Sequence, residues 1–345
     1  MTDDTGNQHR SAATLHDVAR EAGVSLATAS RVLNGSARKV AESYRERVEE
    51  AAARLGYTAN LSAQATARGT SAIIALLVAD IADPYFGQLA AGVARGADEA
   101  GLVVTIAITE RDAEREARLV RALRGQRPQG LILAASRTED EDGDGVRAEL
   151  DAFGAMGGRV VALGPGGGDV RSVAVDNVGG ARALGAALTG LGYRDAIILG
   201  ASSGVRTSDD RIAGFTDGFV SGGGRVRNIL RGGFAREAGY SLMTEALEEG
   251  VEPGTLVFGV SDVVAIGALS AIRDAGREPG ADIAVAGFDD IPTSRDVRPD
   301  LTTVHVPLED LGYRALRAVI EDEWTGDAAP LPLDVLVRAS TPARD

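Results

Sequence analysis

The 345-residue chain contains no cysteine, only three histidines and a single lysine, Lys39. The absence of cysteine excludes disulfides and thiolate zinc sites. The histidines, His9, His16 and His305, are scattered along the sequence. We therefore expect neither a histidine metal site nor a Ser-His-Asp triad, and we predict no bound metal and no cofactor.

Long apolar runs are also absent. No run reaches the roughly 18 residues that a membrane-spanning helix needs. The first ten residues, MTDDTGNQHR, lack the basic and then apolar pattern of a signal peptide. The composition thus predicts no membrane partner and a cytoplasmic location, and the length allows two or three domains.

Positive charge is scarce overall but unevenly distributed. The formal net charge is −14. Residues 1–70 hold nine Arg or Lys and eight Asp or Glu, whereas the remaining residues hold 27 and 42. Because a locally basic face can exist on an acidic protein, the net charge does not exclude binding to nucleic acid.

The stretch TLHDVAREAGVSLATASRVLNG, which begins at Thr14, contains two short helical patterns. Gly23 is placed to end the first helix and Ser25 to cap the second, which Asn34 would end. The predicted apolar faces consist of Leu15, Val18, Ala19 and Ala22 in the first helix and Ala29, Val32 and Leu33 in the second. A third helix is predicted over residues 44–55, with Val48, Ala52 and Leu55 buried.

Three helices with a tight turn between the first two indicate a helix-turn-helix, whose second helix enters the DNA major groove. The outward positions of that helix are Leu26, Ala27, Thr28, Ser30 and Arg31. Arg31 can bind guanine through two hydrogen bonds, and Leu26 and Ala27 can contact thymine methyl groups. Phosphate contacts are predicted for Thr14, Ser25, Thr28, Ser30 and Asn34. The alternative is a small capped helical domain without a DNA-binding role.

These residues closely resemble the DNA-binding headpiece of the lactose-repressor (LacI/GalR) family. The resemblance continues through RERVEEAAARLGY and over the rest of the chain, to about residue 342. It implies that the next segment, ANLSAQATARGT, is a hinge that becomes helical on DNA. Asn60 and Ala63 match the family there, but Thr66 stands where the family has a leucine that wedges into the minor groove. A plain polar linker is the alternative.

From Ala72 onward, short apolar runs alternate with helical patterns, as in parallel α/β sheets covered on both faces. The runs lie at residues 73–78, 103–108, 130–134, 160–163, 196–199, 255–259 and 283–287. This many units predicts two α/β subdomains. The fold class is therefore α/β, with a three-helix headpiece and a two-lobed effector domain of the periplasmic-binding-protein type.

Ligands of open α/β sheets bind beyond the carboxyl ends of the strands, and charged and aromatic residues stand at several of these places. The resemblance implies that they bind an effector of the sugar class: Asp83, Tyr85, Phe86, Arg211, Phe234, Asp262 and Asp289. Carboxylates and guanidinium groups suit sugar hydroxyls, and aromatic faces suit the sugar ring. The alternatives are a structural ion pair between Arg211 and Asp289 and a core role for Tyr85 and Phe86.

The sequence thus predicts a regulator, a repressor rather than an enzyme, whose affinity for a palindromic operator is controlled by a small molecule. A homodimer is implied, because two headpieces are needed to read a two-fold symmetric site. The expected domains are a headpiece over 1–58, a hinge over 59–71 and an effector domain over 72–345. Within the effector domain, the chain is expected to cross between the two α/β subdomains near residues 176, 307 and 333. A periplasmic-type sugar-binding protein would explain only the effector domain, and a nucleotide-binding enzyme would need a phosphate loop that the sequence lacks.

Replacing Thr66 with leucine should tighten binding to operators whose central step unstacks easily. An apolar wedge offsets the cost of unstacking by bending the DNA and enlarging the contact, whereas threonine is smaller and polar. DNA bending and affinity measured for both proteins across a salt series, on sites with a CG or an AA centre, check this. Equal bending by the two proteins would mean that position 66 does not reach the minor groove.

Overall fold

The computed structural model describes residues 13–33, 40–58, 70–134, 144–164, 170–324, 331 and 333–344. The chain forms two compact units, Met1–Ser71 and Ala72–Asp345. Each has its own hydrophobic core. Within the described residues, no helix is long and apolar enough to cross a membrane.

The first unit contains three helices, α1 (Leu15–Ala22), α2 (Leu26–Leu33) and α3 (Glu42–Leu55). Val18, Ala29 and Val48, one from each helix, are completely buried and form the centre of the core. The three predicted helices are confirmed, with α3 beginning two residues before the predicted start. The prediction that Leu55 is buried was wrong: it is 37% exposed.

The second unit begins with a five-stranded parallel sheet, which we call the N-lobe sheet. Its spatial order is β2-β1-β3-β4-β5. The strands are β1 (Ile73–Val78), β2 (Val103–Ile108), β3 (Gly130–Leu133), β4 (Arg159–Leu163) and β5 (Arg171–Val173). Helices α4 (Pro84–Glu99), α5 (Ala113–Arg124) and α6 (Asp144–Ala155) connect the first four strands.

A second parallel sheet, the C-lobe sheet, has four strands in the order β7-β6-β8-β9. The strands are β6 (Asp195–Ala201), β7 (Arg225–Gly232), β8 (Leu256–Gly259) and β9 (Ala284–Ala286). The helices of this lobe are α7 (Asn177–Gly190), α8 (Arg206–Ser221), α9 (Arg236–Glu249), α10 (Asp262–Asp274) and the single-turn α11 (Thr293–Asp296). A short antiparallel pair, β10 (Thr303–His305) and β11 (Asp334–Leu336), completes the strands.

The predicted α/β architecture is confirmed, and all seven predicted strands are present with small shifts at their ends. Strand β7 has no continuous apolar run, because it lies at the edge of its sheet and most of its residues are exposed or half-buried. Strand β7 is therefore not among the seven apolar runs that the sequence predicts as strands.

Helix α12 (Leu308–Ile320) follows β10 in the chain but packs against α4 of the N-lobe. The two helices approach closely at facing glycines. A Cβ atom on Gly92 would lie 1.8 Å from the carbonyl oxygen of Glu309, and one on Gly312 would lie 2.1 Å from that of Leu89. The carboxyl end of α12 is held by Arg159, which donates to the carbonyl oxygen of Val319 at 2.9 Å.

Replacing Gly92 with alanine should lower the free energy of unfolding by about 1–3 kcal/mol, because the added methyl group would push two helix backbones apart. Gly87, on the exposed side of the same helix, has no atom within 4 Å of such a Cβ and is the matched control. Gly87→Ala should be neutral or stabilising by up to about 1 kcal/mol, since alanine favours helix. Urea denaturation at one protein concentration measures both, and equal effects would contradict the close approach.

Candidate functional site

Local hydrogen bonds fix the turn between α1 and α2. The Thr14 hydroxyl donates to Asp17 at 2.7 Å, and the Asp17 N–H donates back to Thr14 at 3.3 Å, which caps the start of α1. Gly23 ends α1 in the left-handed conformation, with φ of 62°. Ser25 caps α2 by accepting the N–H of Thr28 at 3.1 Å. Helix α2 therefore has a fixed direction relative to α1.

Helix α2 buries one side and exposes the other. Ala29 is fully buried, whereas Leu26 is 39% exposed, and Ala27 and Arg31 are also exposed. Thr28 and Ser30 are half-buried, and the capping residues Thr14 and Ser25 remain exposed. The structure thus brings the predicted base-reading side chains onto one accessible helix face. The remaining predicted DNA contacts, Asn34, Asn60, Ala63 and Thr66, lie outside the described residues.

A cavity of about 620 Å³, counting the part open to solvent, lies beyond the carboxyl ends of the strands in the second unit. Six of the seven predicted effector residues line it: Asp83, Tyr85, Phe86, Arg211, Phe234 and Asp289. The other lining residues are Arg111, Ala134, Leu163, Gly164, Val175, Asn177, Thr207 and Val306. Both sheets therefore contribute to one cavity.

Arg211 on α8 organises the C-lobe side of the cavity. Its Nη2 donates to Asp289 Oδ1 at 2.8 Å, its Nε to Asn177 Oδ1 at 2.9 Å, and its Nη1 to the carbonyl oxygen of Val260 at 2.8 Å. The guanidinium carbon lies 3.9 Å from the ring centre of Phe288. Both partners of the ion pair are almost fully buried. A buried pair of this kind needs such extra hydrogen bonds to offset desolvation.

The two cavity carboxyl groups are hard to ionise. Burial raises the pKa of Asp289 to about 6, although the Arg211 charge and hydrogen bond act to lower it. Burial also raises the pKa of Asp83, whose Oδ1 accepts the N–H of Tyr85 at 2.9 Å. Around pH 6, Asp289 can therefore accept hydrogen bonds as a carboxylate or donate one as an acid.

Aromatic rings form part of the walls. Tyr85 and Phe86 pack edge to face with ring centres 5.0 Å apart, at the start of α4. Phe234, which follows β7, lies 5.0 Å from the guanidinium carbon of Arg111, which follows β2. Polar groups that can bind hydroxyls thus alternate with apolar faces that can cover a ring, an arrangement suited to a small polyhydroxylated ligand.

Asp262 does not line the cavity. It is completely buried, and its carboxylate accepts the N–H of Ile291 at 2.9 Å and the hydroxyl of Thr303 at 2.6 Å. Burial raises the pKa of Asp262 well above its ordinary value. The structure therefore places this residue behind the turn that carries Asp289, where it positions that turn.

The turn that carries Asp289 is strained and strongly supported. Asp289 and Asp290 have φ angles of 117° and 56°, which non-glycine residues rarely adopt. Burial would raise the pKa of Asp290, but hydrogen bonds from Arg338, His305 and Arg295 hold it below its ordinary value. These bonds offset the backbone strain and keep the Asp289 side chain directed to Arg211.

Among the cavity residues that were not predicted, three have polar or charged side chains: Arg111, Asn177 and Thr207. They follow strands β2, β5 and β6, so the rule that ligands bind beyond strand ends applied to them too. Their residue types carry no signal of their own, since charged and polar residues occur in most surface loops. Among the described residues, no cluster of three or more potential metal ligands occurs.

Comparison with known proteins agrees with this arrangement. Residues 14–60 match the family of bacterial regulatory proteins of the lacI type, and residues 186–341 match a periplasmic binding protein-like domain. The chain is 33% identical over 310 residues to the transcriptional regulator GalS of Salmonella typhimurium, covering 89% of both chains. It is 30% identical to GalR of Escherichia coli, covering 93% of this chain and 91% of GalR.

Solved structures extend the likeness to the whole architecture. The lac repressor dimer bound to operator and the anti-inducer ONPF superimposes with a TM-score of 0.82 at 26% identity, covering 96% of this chain and 100% of that one. The CelR–cellobiose complex gives 0.66 at 28% identity, covering 95% and 99%. With the helix-turn-helix and the two-lobed cavity in one chain, these matches make the protein a member of the LacI family of bacterial transcriptional regulators.

Proposed function

We propose that the protein represses transcription from a palindromic operator as a homodimer, in the cytoplasm, and that a sugar-like effector bound in the cavity alters its affinity for DNA. The observation that carries this proposal is the joint presence of an exposed recognition helix and a polar cavity on one chain. The effector residues would be the six predicted side chains of the cavity together with Arg111, Asn177 and Thr207.

The DNA contacts are proposed on the same basis. Arg31, Leu26 and Ala27 would read bases, and the hydroxyls of helix α2 and its caps would contact phosphates. The hinge positions Asn60, Ala63 and Thr66, with Asn34, belong to this proposal as well.

Control by the effector is supported by the way the cavity joins the two lobes. Asp83 and Tyr85 come from the N-lobe, whereas Arg211, Phe234 and Asp289 come from the C-lobe. A ligand that contacts both sides favours one arrangement of the lobes and so shifts the populations of the DNA-binding forms. The relative CelR has been solved with cellobiose, which supports a sugar as the effector class.

Selection of binding sites from random DNA, followed by footprinting with and without small metabolites, tests the proposal. We expect protection of a two-fold symmetric site and a change of affinity in the presence of one sugar class. Linkage requires that operator DNA change effector affinity by the same factor, which gives an independent check. Binding without sequence preference would overturn the regulatory role.

Replacing Arg31 with alanine should weaken operator binding and relax the preference at one base pair by about 1–3 kcal/mol. The side chain is exposed on the recognition helix, where it can bind guanine. Arg20→Ala is the matched control, because Arg20 is exposed on α1 and pairs with Asp17. Equal losses on the operator and on random DNA would show that Arg31 contacts only phosphate.

Effector affinity should rise about tenfold between pH 5 and pH 7, because hydroxyl donors bind the ionised form of Asp289, whose pKa is about 6. Below this pKa the carboxyl group is protonated, and it must lose its proton before both of its oxygens can accept hydrogen bonds from ligand hydroxyls. Calorimetric titration with the sugar that changes operator affinity in the footprinting experiment measures the change.

The control for the pH effect is Asp289→Asn, in which the dependence should disappear because the amide does not titrate. Asp83→Asn measures how much the second buried carboxyl group contributes to the pH dependence of effector affinity. A pH dependence that persists unchanged in Asp289→Asn would show that another group controls binding.

A further inference from the structure

We infer that the effector carries a negative charge: it is a sugar-sized polyol with a carboxylate or phosphate group, and Arg111 binds that group. The inference rests on the proposed function, because it places the ligand in the same cavity. It adds a charged subsite to the neutral polyol contacts made by Arg211 and Asp289.

Arg111 is held at the cavity in an unusual conformation. It and the preceding Glu110 both have φ of 56°, a conformation that non-glycine residues rarely adopt. The guanidinium carbon lies 5.0 Å from the ring centre of Phe234, on the opposite lobe. This cation–π contact holds the guanidinium group at the cavity, where its N–H groups can bind an anion.

The charge of Arg111 is not matched by a contact within the described part of the chain. Its Nε atom is buried without a hydrogen-bond partner there, and no described carboxylate forms an ion pair with it. Burial lowers the pKa of the Arg111 guanidinium, but arginine stays protonated near neutral pH. Burying a cation without a counterion costs desolvation free energy. An anionic ligand would offset this cost.

The other charged cavity groups do not supply this counterion. Asp289 is paired with Arg211 at 2.8 Å. Asp83 and Asp80 attract Arg111 only from beyond the distance of an ion pair. The Oδ1 of Asp83 accepts the Tyr85 N–H, and burial disfavours the ionised form of Asp83. Asp80 is exposed, and its Oδ1 accepts the N–H of Ala82. The two guanidinium groups therefore differ: that of Arg211 is occupied within the protein, and that of Arg111 is available to a ligand.

Helix ends add positive potential to the same cavity. Tyr85, Asn177 and Thr207 lie in the first turns of α4, α7 and α8, and all three line the cavity. The side chains of Asp83 and Asp176 cap α4 and α7, whereas no described side chain caps α8, whose N-cap is the apolar Val205. Each helix N-terminus carries roughly half a positive charge, which favours a negative group.

Matched ligand sets test the inference. The full chain is titrated calorimetrically, at fixed ionic strength and pH 7.5, with D-glucose, D-gluconate, D-glucuronate and D-glucose 6-phosphate, and with the corresponding galactose and mannose compounds. Sodium phosphate and sodium acetate at the same concentrations show whether an anion alone binds. Comparison of the sugar acids with the sugar phosphates shows whether a carboxylate or a phosphate group is bound.

The variants are Arg111→Gln and, as the control, Arg118→Gln. Arg118 lies on the exposed face of the adjacent helix α5 and forms an ion pair with Glu114, at 3.8 Å. We expect at least one charged sugar to bind more tightly than its neutral counterpart. Arg111→Gln should weaken its binding by about tenfold to a hundredfold, the loss of a charge-assisted pair, whereas Arg118→Gln should leave it unchanged.

Two outcomes would overturn the inference. If a neutral sugar binds more tightly than its acid and phosphate forms and Arg111→Gln leaves its affinity unchanged, the charged subsite is refuted while the proposed regulation by a sugar stands. If none of the sugars binds and none changes operator affinity, both the subsite and the sugar part of the proposed function fail, but footprinting of the operator still decides the DNA-binding role. Thermal unfolding of both variants verifies that they remain folded.

Discussion

The hydrogen bonds of Arg211 determine the shape of the C-lobe side of the cavity. One guanidinium group joins three segments that are distant in the sequence: the start of α7, the residue after β8 and the turn after β9. If any of these segments moved, a buried charge would lose a partner, which is far more costly than the loss of a surface contact. The walls of the cavity are therefore set before a ligand arrives.

The same constraint explains why so many charged groups are buried near the turn of residues 287–291. Asp289 must point at Arg211, which requires two successive left-handed residues, and the neighbouring carboxylates of Asp262 and Asp290 hold that backbone in place. Asp262, which lies behind the cavity wall, thus helps to position Asp289, which lies in the wall. The binding site is consequently larger than the set of side chains that a ligand can touch.

Much of this organisation could be predicted from the sequence, and the reasons differ from residue to residue. Apolar periodicity located the helices of the headpiece, and the rule for strand ends together with the family resemblance pointed to Asp83, Arg211 and Asp289, which line the cavity. The rule could not distinguish Asp262 from the residues that line the cavity. Asp262 also follows β8, but its side chain faces inward, and residue type does not show side-chain direction. Nor could it single out Arg111, whose position depends on two left-handed residues without a glycine to mark them.

The return of α12 to the N-lobe links two regions that are made at different times during translation. Helix α4 and strands β1 to β5 leave the ribosome first, but the glycine face of α4 is covered only by residues 308–320. At about 5–20 residues per second, the intervening stretch takes roughly 10–50 s to synthesise. The lobe that begins first is therefore completed only after most of the C-lobe has been made, and one helix face of the N-lobe stays accessible to chaperones or to other nascent chains throughout that interval.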